Sequence, residues 1–252
     1  MPDTVLPEQT HAVTTDLLLA RAESLIATAR QMNACGLNQG TSGNLSVRIP
    51  GGLLITPGSL PYDRMGACDL LAIDVDGHSL PTPQRLLLES ASSGGQRAAD
   101  SVPRQPSSEW RLHAELLAQR SDVDAVLHCH SIQATALACH GRGIPPFHYM
   151  VAIAGGADIR CAPYVTFGTR ELSRCAAEAL VNRRACLLAH HGQVALGADP
   201  AAALALAVEV ETLAAMYLHA LQLGEPPVLS DSEMQRVLKR MRNMRYGELP
   251  DD

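Results

Sequence analysis

The spacing of apolar and polar positions changes period several times along the chain, and each change marks an element. Residues 14–35, "TTDLLLARAESLIATARQMNAC", carry apolar side chains at helical spacing after a Thr/Asp start, with Gly36 as the stop. The Gly/Ser/Thr/Asn turn in "GLNQGTSGNLSVRI" leads into a two-residue alternation. "GGLLITPGS" continues it, predicting a hairpin across Pro50, Gly51 and Gly52. "DLLAIDVDG" is a third strand closed by an Asp-Gly turn. Residues 82–106 are rich in Pro, Ser and Gly around a short apolar island, the pattern of a long surface loop.

Helical spacing returns in "PSSEWRLHAELLAQR", where Trp110, Ala114 and Leu117 share a face behind a Pro-Ser-Ser-Glu start. "DAVLHCH" is a strand, "SIQATALACHG" a short helix, and "DIRCAPYVTF" is extended. "GTRELSRCAAEALVNR" is a helix, and "ACLLAHHGQVALG" a strand, a tight turn and another strand. The longest helix is "DPAAALALAVEVETLAAMYLHALQLG", opened by Asp199-Pro200 and stopped by Gly224. The last begins in a capping box from Ser230 to Glu233. The irregular alternation of strands and helices, with several hairpins, predicts a mixed α/β layer fold rather than a strict parallel series.

Length and composition narrow the classes. A chain of 252 residues with 46% apolar and 18% charged positions can bury a proper core. The net charge of −6, with no basic stripe, gives nucleic-acid binding no support. The first 13 residues lack a basic start and an apolar core, so they are expected to be a flexible N-terminus rather than a signal peptide. The apolar run near 199–223 carries Asp199, Glu209, Glu211 and His219, so a buried helix is expected there, not a membrane span. Seven cysteines without CxxC spacing point to reduced thiols in a cytoplasmic protein, each packed as a small buried hydrophobe.

Three places can carry chemistry. In "LHCH" successive side chains point to opposite faces, so His128 and His130 share one and Cys129 takes the other. Two imidazoles so placed suit a metal, or equally a hydrogen-bonded core. The "HHG" of His190, His191 and Gly192 offers a third donor, and three protein ligands with an open position is the catalytic zinc pattern. "GTSGN" and "PSSE" offer hydroxyls and unpaired N–H groups, as turns and caps do and as anion sites do. Glu109 sits in the first turn of its helix, where it either complements the dipole or serves as an acid/base. His113, four residues on, is placed to orient Glu109 or to ligate metal.

Taken together, "GLNQGTSGNLSVR", "LLITPGSLPYD", "PSSEWRLH", "VLHCH", "IPPFHYMVAIAGG", "CAPYVTFGTREL" and "LLAHHG" resemble the class II aldolase/adducin-like family. Within it they are most similar to the branch that cleaves L-fuculose 1-phosphate. The resemblance implies one α/β domain over 1–252 with a central, largely antiparallel sheet flanked by helices. It implies one Zn2+ per subunit on His128, His130 and His191, with Glu109 as the acid/base that also touches the metal when substrate is absent. Thr41, Asn44, Gly58, Ser59, Ser107 and Ser108 would line the phosphate pocket. Here Gly58 stands where the aldolases carry a hydroxyl, and Ser59 offers one from the next position. Tyr149 would reach the site of a neighbouring subunit in a homotetramer, Phe167 would shape the aldehyde side, and Tyr246 in the tail 246–252 would cover the site.

The activity implied is reversible cleavage of a ketose 1-phosphate into dihydroxyacetone phosphate and an aldehyde through a metal-stabilised enediolate. Decarboxylases of 3-oxo-tetronate 4-phosphates and sugar-phosphate 4-epimerases share the scaffold. A non-catalytic adducin-type module is the remaining reading.

Overall fold

The computed structural model describes residues 8–80 and 104–243. The expected long loop, the N-terminal segment before Glu8 and the tail with Tyr246 therefore lie outside the described residues, apart from Arg104, Gln105 and Pro106. Helix α1 runs Glu8–Ala34, starting at Glu8 rather than at Thr14. Once a helix is nucleated each further residue adds a hydrogen bond at small cost, so α1 extends through a polar stretch that shows no apolar period. It ends where Gly36 takes a left-handed φ of 78°.

Strands β1 (Asn44–Ile49) and β2 (Gly52–Ile55) form the predicted hairpin, and β3 (Leu71–Ile73) pairs with β2. Helix α2 (Trp110–Gln119) leads to β4 (Ala125–Cys129), α3 (Ile132–Cys139) and β5 (Arg160–Ala162). Helix α4 (Arg170–Ala179), β6 (Ala185–Leu188), β7 (Gly192–Gly197), α5 (Pro200–Leu221) and α6 (Asp231–Asn243) complete the order. Among the described residues seven strands make one sheet, β3-β2-β1-β4-β7-β6-β5, antiparallel except for β5 beside β6.

The extended stretch predicted over "DIRCAPYVTF" is a strand only as far as Ala162. Pro163 follows and has no N–H to give to a ladder. In α6 the Ser230 hydroxyl accepts from Glu233 N–H at 3.3 Å, which is half of the predicted box. The Glu233 carboxylate turns to Arg236 instead.

The sheet separates two cores. On one side α1, α3 and α5 cover Leu45, Val47, Leu127, Cys129 and Ala195. On the other α2 and α4 cover Leu53, Ile55, Val126, Val194 and Leu196. Helix α5 has the length and apolar composition of a membrane span, yet Ala203, Leu206, Ala207, Val210 and Leu213 are buried against the protein itself. All seven cysteines are free, but only Cys129, Cys175 and Cys186 are buried. Cys35 and Cys139 are exposed at the C-terminal ends of α1 and α3, so the expectation of uniform burial does not hold.

Candidate metal and phosphate site

Strand β4 ends at Cys129, and His130 stands just beyond it. His128 and His130 nevertheless face the same way, and their Nε2 atoms are 3.0 Å apart. Cys129 points into the opposite core, where burial pushes its thiol up to about 12. The third ring comes from the turn between β6 and β7. There His190 adopts a left-handed φ of 56°, and His191, not His190, is aimed at the pair. The donor atoms of His128, His130 and His191 all lie within 4.8 Å of one another.

Gly192 makes this convergence possible. A Cβ there would stand 2.4 Å from the Cys129 carbonyl oxygen and 3.0 Å from His130 Cδ2. Only glycine lets β7 approach the end of β4 so closely.

Glu109 decides between cap and chemistry. It occupies the N-cap of α2, but its side chain makes no capping bond. Instead Oε2 lies 3.2 Å from His128 Nε2 and accepts from Asn44 Nδ2 at 2.9 Å, while Oε1 lies 3.3 Å from His191 Nε2. Burial opposes its charge, but the His128 and His191 rings and the Asn44 amide outweigh burial and hold the carboxyl at about 2. Burial, reinforced by His128, lowers His191 to about 4, and burial lowers His128 and His130 as well.

At neutral pH the cluster is three neutral imidazoles beside one carboxylate, the donor set a divalent cation requires. His128 Nδ1–H donates to the Gln193 carbonyl at 2.9 Å, which fixes the tautomer and leaves Nε2 as a free donor atom. Two nitrogens on one tetrahedral zinc at ~2.1 Å stand roughly 3.4 Å apart, close to the 3.0 Å between His128 and His130, so these residues could hold such an ion.

The cluster opens into a pocket of about 390 Å³. Thr41, Asn44, Gly58, Ser59, Ser107, Ser108, Glu109, His130, Phe167 and His191 all line it, and among the described residues no Lys or Arg does. Among the described residues the hydroxyls of Thr41, Ser59 and Ser108 make no hydrogen bond. The Gly58 and Ser107 N–H groups are already given to the Gln105 and Thr56 carbonyls. Ser59 holds a left-handed φ of 59° at the pocket edge. His190 also lines the pocket, as do Tyr164 and Val165, which were not singled out from sequence. The signal available was the aromatic and apolar content of "PYVTF" in a chain with only 3% aromatics. Tyr149 does not line the pocket of its own chain; it is 47% exposed, its ring tilted against that of His148.

His113 is no ligand of the cluster. It is wholly buried, burial lowers it to about 3, and both ring nitrogens are engaged, with Ser46 and Asn44.

A two-sided α/β sheet whose β4 and β6–β7 turn present three imidazoles to a carboxylate at a helix start defines a class of fold with a site that could hold a metal ion. The family description "Class II Aldolase and Adducin N-terminal domain" matches residues 23–218, and the chain belongs to that family. It is an enzyme of the class II aldolase type. The chain is 49% identical to a 5-methylthioribulose-1-phosphate/5-deoxyribulose-1-phosphate aldolase of Rhodospirillum rubrum, over 91% of its own length and 94% of the relative's. It is 43% identical to the L-fuculose phosphate aldolase of Escherichia coli K12, over 90% and 95% of the two chains. A solved L-fuculose 1-phosphate aldolase superposes with a TM-score of 0.77 at 34% identity, covering 88% of this chain and 96% of that one.

Proposed function

We propose that the protein is a zinc-dependent aldolase that reversibly cleaves a ketose 1-phosphate between C3 and C4, giving dihydroxyacetone phosphate and a short aldehyde. The observation that carries this reading is the convergence of His128, His130, His191 and Glu109 at the floor of a pocket walled by uncommitted hydroxyls. Zinc on the three imidazoles supplies a Lewis acid that stabilises negative charge on the dihydroxyacetone phosphate fragment.

The chain's own residues do the rest. Thr41, Ser59 and Ser108 donate hydrogen bonds to the phosphate, and Ser107 and Asn44 shape the cradle beside Gly58. That grip fixes C2 and C3 over the metal ligands, where orientation lowers the barrier. Breaking C3–C4 leaves the bonding pair on C3, and Glu109 moves the proton to and from that carbon. In condensation Tyr149 of a neighbouring subunit in a homotetramer gives its phenolic proton to the oxygen at C4, and in cleavage its phenolate takes that proton back. Tyr149 is exposed and outside its own pocket, as that assignment requires.

Tyr164, Val165 and Phe167 make an apolar wall on the aldehyde side. L-fuculose 1-phosphate, 5-methylthioribulose 1-phosphate and 5-deoxyribulose 1-phosphate would release lactaldehyde, (methylthio)acetaldehyde and acetaldehyde respectively. All three end in an apolar group, so a deoxy or methylthio terminus is the preferred substrate class. The test is a panel of these phosphates with fully hydroxylated ketose 1-phosphates, assayed for aldehyde and for CO₂ with zinc-loaded protein. Aldehyde from the apolar-ended members is expected. CO₂ from a 3-oxo-tetronate 4-phosphate with no aldehyde from any ketose would replace this reading with the decarboxylase.

A further inference from the structure

Strand β1 and helix α2 bring two polar pairs together through their own periodicities. Residues two apart on a strand share a face, so Asn44 and Ser46 look towards α2 while Leu45 and Val47 enter the other core. Residues four apart on a helix also share a face, which sets His113 one turn below Glu109. Ser46 Oγ is 2.7 Å from His113 Nδ1, His113 Nε2 is 2.5 Å from Asn44 Oδ1, and Asn44 Nδ2 is 2.9 Å from Glu109 Oε2. Ser46 and His113 are fully buried and Asn44 is 4% exposed.

These contacts admit one arrangement of protons. The Glu109 carboxylate only accepts, so the amide nitrogen of Asn44 must face it and the amide oxygen must face His113. That oxygen also only accepts, so the proton of the neutral imidazole sits on Nε2. Nδ1 is then an acceptor, and the Ser46 hydroxyl donates to it. Reversing the Asn44 amide would set oxygen against carboxylate oxygen and two N–H donors against each other in a buried site.

We propose that His113 is a positioning residue for Glu109: backed by Ser46, it locks the Asn44 amide, which ties down Oε2 and leaves Oε1 for proton transfer. The kinetic consequence rests on the acid/base role assigned to Glu109 above; the directed bond chain does not. Neither nitrogen of His113 is available to substrate or metal, so it acts only through Asn44.

Two activity-independent measurements test the chain. Long-range ¹H–¹⁵N spectra of native protein with ¹⁵N-labelled histidine, with and without zinc, should show His113 as the Nε2–H tautomer in both. An Nδ1–H ring would overturn the proposal. A crystal structure of zinc-free His113→Leu should show the Glu109 carboxylate displaced from Asn44; an unmoved carboxylate overturns it. In the aldolase assay His113→Leu should lower kcat by roughly 10- to 100-fold, the usual cost of removing an outer partner. KM should stay within about twofold, and zinc content should be native. His113→Gln, whose amide N–H reaches the Nε2 position, should recover most of that loss. In a Glu109→Gln background His113→Leu should cost nothing further; an equal loss in both backgrounds would mean a merely structural role. Wild-type protein with no aldolase activity would overturn the function proposed above while the spectra still decide the bond chain.

Discussion

Glu109 Oε1 stands 3.3 Å from His191 Nε2 and accepts no hydrogen bond, although it is buried. An unsatisfied buried oxygen is costly unless a ligand completes it. Glu109→Gln keeps the shape and removes both the charge and the proton-accepting oxygen. Zinc content should be retained, and kcat should fall about 10²- to 10⁴-fold, the range for loss of a general acid/base. Metal analysis and steady-state kinetics on the same sample check both; normal turnover would end the acid/base assignment.

His130 and Cys129 are neighbours with opposite fates. His130→Ala should lose zinc and activity together while the zinc-free protein melts near its native temperature, because His130 is exposed beyond the strand. Cys129→Ala should keep zinc and activity and lose about 1 kcal/mol of stability through a small cavity. Zinc loss from the Cys129 variant would show that the strand does not separate their faces.

Gly192→Ala tests the close approach of β7 to β4. Its Cβ would overlap the Cys129 carbonyl at 2.4 Å, a backbone atom with little freedom to move. Overpacking of this kind costs roughly 1–3 kcal/mol, and the shift should weaken zinc binding through His130. Calorimetric melting with zinc titration measures both.

Acidification should destabilise the zinc-free protein before any carboxylate titrates. His113 and His191 fall from an ordinary 6.5 to about 3 and about 4, chiefly because they are buried. Below pH 6.5 the unfolded chain therefore takes up protons that the folded chain refuses, and stability falls as pH drops towards 4. Glu109, depressed from 4.5 to about 2, adds a further loss of the same sign below pH 4.5. Urea midpoints between pH 7 and 5 should decline; a flat or rising series contradicts the burial of these rings.

If Tyr149 serves a neighbouring site, Tyr149→Phe should slow aldehyde release while leaving competitive inhibition by a phosphate analogue unchanged. Mixing it with His130→Ala, after dissociation and reassembly, should restore part of the activity, because hybrid sites regain both groups. No recovery would place the proton transfer on another residue.

Much of this site is written in local pattern. The two-residue period of "LHCH" places two rings together and sends the sulfur away, and "HHG" supplies the third ring beside the one glycine that permits contact. Which of His190 and His191 turns inward is set by a left-handed residue and a facing strand, and the residue pattern alone does not show it. The Ser46–His113–Asn44 chain was hidden for a similar reason: its members come from two elements 67 to 69 positions apart. A polar pair at alternate positions of a buried strand, in "NLSVRI", is the one local hint of it. In sequence Glu109 reads equally well as a helix cap, because nothing local fixes its side chain on Asn44 and the histidines.

Among the described residues no lysine or arginine lines the pocket, and this has a thermodynamic corollary. Among those residues a dianionic phosphate ester would meet one fixed negative charge, on Glu109, and its counter-charge would be a cation held by the imidazoles. Occupancy by ester and by cation would then reinforce one another, and by reciprocity each would tighten the other by the same factor. Chelators should act as apparent competitors of the ester, and saturating ester should slow the escape of the ion.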